Sequence, residues 1–207
     1  MNKNYPHIQT ISKSRQGDWF QTYTGRQFWP RDPRPEDFDI HDIAHALSQI
    51  CRFGGHTLRY YSVAQHSTMV GQLTSSLVGH MHDATEAYLG DMVRPLKVSM
   101  GEYRVVEARM WDVICDAFQF PGMRGPRVDE AMERANCHAQ QMPALVKTAD
   151  NFALITERRD LMAACPARWA PELEALTPLP SRIIPDCPVV AERKFLAQFW
   201  RLVELGI

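Results

Sequence analysis

Between Ile40 and Leu205 apolar residues recur at intervals of three and four, segment after segment, and no strand–helix alternation interrupts them. DIHDIAHALSQICRF sets Ile43, Ala46, Leu47 and Ile50 on one face, with Asp39 as N-cap and Gly54-Gly55 as the stop. VAQHSTMVGQLTSS repeats the pattern with Val63, Met69, Val70 and Leu73, and SLVGHMHDATEAYLG forms a further segment ended by Gly90. Tyr103–Phe118 and Asp129–Gln141 are amphipathic, and a helix opening at Pro143 is expected to run to about Ala164. Cys165 to Pro188 is rich in proline and reads as loop, since proline removes a backbone donor and blocks helix interiors. Val189–Leu205 closes the chain as a helix. The expected class is all-α: a helical bundle over residues 40–207.

Residues 1–39 stand apart from this periodicity. TYTGRQFWPRDPRPEDF holds three prolines and a glycine among aromatics and charges, which predicts loop with a short hairpin. Its aromatic content predicts an extension packed on the main domain.

The formal net charge of -1 provides no overall field toward nucleic-acid polymers or acidic membranes, so neither is an expected partner. MNKNYPHIQTISKSRQGDWF has no apolar core of signal-peptide length, and no run approaches the length of a membrane span. Cys51, Cys115, Cys137, Cys165 and Cys187 are isolated, so reduced, mostly packed thiols and a cytoplasmic location are expected.

Chemistry concentrates in HMHDATEAYLGD, residues 80–91. On a helix, His82 and Glu86 share a face, and the adjacent Asp83 can still reach an ion lying against it. Imidazole plus carboxylate suits Mn²⁺, Co²⁺, Fe²⁺, Ni²⁺ or Zn²⁺ better than Ca²⁺, and Mg²⁺ completes the candidate set. Two ligands hold an ion poorly, so His66 in SVAQHS and Asp150 in VKTADNFAL are the further candidates. Each has a plain alternative: a core histidine for His66, and an ion pair with Lys147 for Asp150.

The order H…HD…D in an all-α chain resembles the HD-domain metal-dependent phosphohydrolase superfamily. SVAQHS, HDATEAYLGDMVRPLK and VKTAD are similar to strings of bacterial 5′-deoxynucleotidases and of phage enzymes that strip triphosphate from dATP. The likeness spans about Ile40 to Leu161. It implies one divalent ion bound by His66, His82, Asp83 and Asp150. It implies that Glu86 is the acid/base or water-positioning carboxylate, and that Asp91 lies near the water and sugar. Arg52 and Phe53 correspond to an Arg-Trp pair that meets phosphate and packs on sugar; phenylalanine keeps the apolar wall and loses the indole donor. Gln65 stands where glutamate is usual.

The chemistry agrees with that assignment. A divalent ion neutralises phosphoryl oxygens and lowers the pKa of a water nucleophile. Glu86, one turn past His82, can orient or deprotonate the water. Arg52, Arg59, Arg94 and Lys97 are candidate anion binders, and His56 either touches phosphate or caps a turn. His80 reads as core or support, His41 and His45 as surface or packing residues, and Phe28 and Trp29 as core. Glu157-Arg158-Arg159-Asp160 reads as a solvated ion-pair face.

The expected activity is removal of 5′-phosphate groups from deoxynucleotides, either one phosphate from a monophosphate or triphosphate from a dNTP. Arg26, Arg31 and Arg34 are candidates for holding the two extra phosphates. The alternatives are hydrolysis of a signalling nucleotide, or a metal-bound regulatory module without turnover. A homodimer or higher homo-oligomer is the assembly the resemblance implies.

Overall fold

The computed structural model describes residues 14–120 and 142–207. The expected helix at Asp129–Gln141, and Cys137 with it, lies outside the described residues. The fold is mainly helical, as the all-α expectation has it. Among the described residues the β-structure is a small antiparallel hairpin, β1 (Phe20–Gln21) paired with β2 (Gln27–Phe28), and one isolated bridge between Cys51 and Ser62.

Helix α1 (Ile40–Gln49) begins where Asp39 accepts a hydrogen bond from the His41 amide. It ends before the expected Gly54-Gly55 stop, because Ile50 and Arg52 turn to extended pairing with Val63 and Tyr61. A single 3-10 turn over Arg52–Gly55 follows, with Phe53, Gly54 and Gly55 all at positive φ. Helix α2 (Val63–Thr74) starts on a Ser62 cap.

The segment after α2 corrects a sequence expectation. Residues 77–89 form two short helices, α3 (Leu77–Met81) and α4 (Glu86–Leu89), and not one. Between them residues 82–85 make tight turns, with the Ala84 amide donating to the Met81 carbonyl and the Glu86 amide to the Asp83 carbonyl. His82 and Glu86 therefore do not share one continuous helix face.

Helices α5 (Arg94–Ser99), α6 (Gly101–Ala117) and α7 (Ala144–Leu161) follow. Single-turn α8 (Pro171–Glu174) interrupts the proline-rich stretch, and α9 (Pro188–Leu205) is the last helix. Helix α2 is central: it packs on α3, α7 and α9, while α1 packs on α9 and α4. The main core gathers Ile43, Leu47, Val63, Met81, Trp111, Ile114 and Phe195. The hairpin enters that core through Phe28, which stacks on Tyr88 at 4.0 Å and meets Phe38 edge-on.

The proline-rich stretch is a strap bound to α2 and α7. Leu179 donates to Thr156, Asp160 accepts from Arg182 and from the Ile183 amide, and the Gln65 amide side chain donates to the Ile184 carbonyl while accepting from the Asp186 amide. Gln65 thus uses both ends of its carboxamide, which a glutamate could not do.

Candidate metal centre

Three elements bring the candidate ligands together. His66 lies in mid-α2, His82 caps the C-terminus of α3, and Asp150 sits in the second turn of α7. One donor atom from each lies within 4.8 Å of the others, so the trio can hold a metal ion. His66 Nε2 is 3.3 Å from His82 Nε2 and 3.4 Å from Asp150 Oδ1. Asp83, the fourth expected ligand, lies against the two histidines without being one of the three that converge: its Oδ2 stands 3.3 Å from His82 Nε2 and 3.5 Å from His66 Nε2. Nitrogen and oxygen ligands bind an ion such as zinc at about 2.0–2.2 Å, which places neighbouring donors roughly 3.0–3.5 Å apart.

Hydrogen bonding selects which ring nitrogens face inward. His66 Nδ1 bonds the Glu157 carboxylate at 2.6 Å, and His82 Nδ1 bonds the Gly79 carbonyl at 2.8 Å. Both partners are acceptors, so both Nδ1 atoms carry hydrogen and both Nε2 atoms are left for the site. Two such nitrogens at 3.3 Å, beside two carboxylates, require positive charge between them. A metal ion fits that requirement; a proton on His66 meets it otherwise. Burial and Arg52 oppose charging His66, but Glu157 and Asp150 outweigh them and push its pKa up to about 9. Burial pulls His82 the other way, below its ordinary value. Burial also works against ionised Asp150, yet the His66 hydrogen bond and the charges of His66 and His82 hold it well below the usual carboxylate range.

The remaining predicted residues divide. Glu86 is buried, with Oε2 lacking a hydrogen-bond partner among the described residues. Burial, reinforced by the charges of Asp83 and Asp91, pushes its carboxyl well above the usual range. Burial likewise raises Asp91, with Arg52 opposing. Arg52 reaches Asp83 Oδ2 at 3.4 Å and Glu157 Oε2 at 3.3 Å, and its guanidinium lies 5.3 Å from the Phe53 ring centre. Lys97 ion-pairs with Glu107, within the field of Glu86 and Asp83. His56, Arg59 and Arg94 are exposed, and the backbone amide of His56 closes the 3-10 turn on Phe53.

Glu157 is the residue the sequence reading misplaced. It is 0% exposed, not part of a solvated face, and it holds both His66 and Arg52. The Asp160 side chain is shielded as well, at 2% exposure, between Arg159 and Arg182. The available signal was the interval from Asp150 to Glu157: seven residues, two helical turns, one face. Two of the other histidines have structural partners. His80 is buried and bonds the Phe195 carbonyl at 3.0 Å, and His45 meets Glu192 beneath a stacked Tyr23. Lys147 does pair with Asp150, at 3.0 Å, alongside the His66 contact. In the hairpin region Arg26 pairs with Asp39 and Arg34 with Asp32.

Comparison with known proteins finds the Escherichia coli K12 protein named "Uncharacterized protein YfdR", 35% identical over 191 residues, which are 90% of this chain and 97% of YfdR. This chain belongs to the YfdR family. "Uncharacterized protein RCAP_rcc00048" of Rhodobacter capsulatus is 31% identical over 139 residues, 61% of this chain and 71% of that one. No family model matches the chain. Neither relative's name states an activity. Among the described residues no helix is long and apolar enough to cross a membrane.

Proposed function

We propose that this chain is a metal-dependent phosphohydrolase of the HD type that removes the 5′-phosphate from deoxynucleotides. The observation that carries the reading is the convergence of His66, His82 and Asp150 on one point, with Asp83 against it, in the chain order H…HD…D. The strings around those residues resemble nucleotide phosphohydrolases, which supports the substrate class.

A divalent ion held there supplies Lewis acidity to the phosphoryl group and a more acidic water. The protein does the rest. Glu86, buried with Oε2 unpartnered among the described residues, orients or deprotonates the attacking water. Arg52, on the 3-10 turn beside Asp83, offers its remaining N–H groups to phosphate oxygens. Phe53 holds the arginine by its ring and gives the sugar an apolar wall. Of the three candidate arginines for extra phosphates, Arg26 and Arg34 are each engaged by an acidic neighbour while Arg31 is exposed, so monophosphate and triphosphate substrates both stay in the reading.

The test is a panel of deoxynucleoside mono- and triphosphates with Mn²⁺ or Co²⁺, read as released phosphate and triphosphate. Turnover of monophosphates or triphosphates is expected, abolished in Glu86→Gln with metal binding retained. Absence of turnover on every nucleotide would sink the reading.

A further inference from the structure

Glu157 is fully buried, carries two ionic partners and belongs to neither the ligand set nor the catalytic pair. A carboxylate without solvent persists only where its charge and lone pairs are met. Here Oε1 takes the His66 Nδ1 hydrogen at 2.6 Å and Oε2 takes an Arg52 Nη2 hydrogen at 3.3 Å. The other η-nitrogen of Arg52 reaches Asp83, so a chain of contacts runs His66–Glu157–Arg52–Asp83 and closes on His66 at 3.5 Å.

We propose that Glu157 is a positioning residue with two outputs: it fixes His66 in the tautomer that presents Nε2 to the cation, and it clamps Arg52 where a phosphate would arrive. The proposal rests on reading the cluster as a cation site. A carboxylate serves both partners because both of its ends accept. Carboxylates behind ligating histidines set ring orientation and basicity, and their loss costs about 10–100-fold in metal affinity.

Glu157→Gln separates this from a packing role, because the carboxamide keeps the shape and has one accepting end. If its oxygen faces His66, its NH₂ confronts the Arg52 donors. If its NH₂ faces His66, the ring must move its hydrogen to Nε2, which then cannot ligate. Calorimetry with Mn²⁺ and the visible spectrum of the Co²⁺ complex are the readouts, with circular dichroism as the fold control. The expected result is Mn²⁺ binding weakened about 10–100-fold with an altered Co²⁺ spectrum. Mn²⁺ affinity and spectrum both equal to wild type overturn the proposal.

Should the variant fail to fold, nitrogen-15 NMR of the Zn²⁺-loaded wild type decides. Hydrogen on His66 Nδ1 in a strong hydrogen bond is expected, and an Nδ1 without hydrogen overturns the proposal. Wild type that binds metal yet turns over no nucleotide defeats the phosphohydrolase reading alone. Wild type that binds neither Mn²⁺ nor Co²⁺ defeats both.

Discussion

The Nε2 atoms of His66 and His82 face each other across 3.3 Å, with the Nδ1 atom of each ring already committed to an acceptor. Metal and proton therefore compete for one place. With the His66 pKa raised from 6.5 to about 9, metal uptake below that pH must expel a proton. Calorimetry of Mn²⁺ binding in buffers of different ionisation enthalpy should find nearly one proton released per ion at pH 7. In the metal-free protein the contribution of His66 is complete below its unfolded value and is lost as pH rises through about 9. Melting temperature of the chelated protein should fall over that window. At 100-fold excess of metal over Kd the loaded protein should gain about 2.7 kcal/mol.

Gly71 of α2 faces His80 of α3 so closely that a Cβ would stand 2.8 Å from His80 Cβ and 3.0 Å from its Cα. Glycine-to-alanine in a helix ordinarily gains up to about 1 kcal/mol. Gly71→Ala should instead lose about 1–3 kcal/mol in denaturant melts, because the two helices must separate. It should also weaken Mn²⁺ binding, since those helices carry His66 and His82. A stabilised variant would contradict the packing.

Asp160 is the main anchor of the proline-rich strap. Arg159 bonds hold its carboxyl below the usual range, with the Ile183 amide and Arg182 adding to them. Asp160→Asn should cost about 1–2 kcal/mol near neutral pH. A depressed folded pKa gives stability that is present above the unfolded value and lost as pH falls toward the folded one. The gap between wild type and variant should therefore narrow below pH about 4. Limited proteolysis between residues 165 and 187 at pH 7 and pH 3 measures both effects.

The thiols divide by burial. Cys115 is enclosed and its pKa is pushed up to about 12, whereas Cys165 and Cys187 are exposed. Two of the four described cysteines are thus not packed, and Cys137 lies outside the described residues. Peptide mapping after brief iodoacetamide treatment at pH 8 should find Cys165 and Cys187 modified and Cys115 unmodified.

Local signals in the sequence carry much of this fold. The periodicity of α1 and α2 and the Asp39 cap depend on neighbours within a few residues, and the structure follows them. The convergence of His66, His82 and Asp150 is likewise foreshadowed by residue type and order. The break at residues 82–85 is not, because the apolar spacing continues through it and only the main-chain hydrogen bonds shorten. Glu157 is concealed by Arg158, Arg159 and Asp160, whose charges resemble a wet surface. Its burial depends on Arg52, which lies 105 positions away. The strap is equally non-local: Gln65 meets residues 184 and 186.

Phe53 holds a left-handed backbone at φ 56°, an arrangement that costs a residue with a side chain about 1–2 kcal/mol. Glycine would relieve it and would also remove the ring beside Arg52. Evolution under heat alone and evolution under demand for ligand would then pull this position in opposite directions. A library randomised at residue 53 should separate into thermally robust weak binders and fragile tight ones, which makes that position a gauge of the pressures acting on this family.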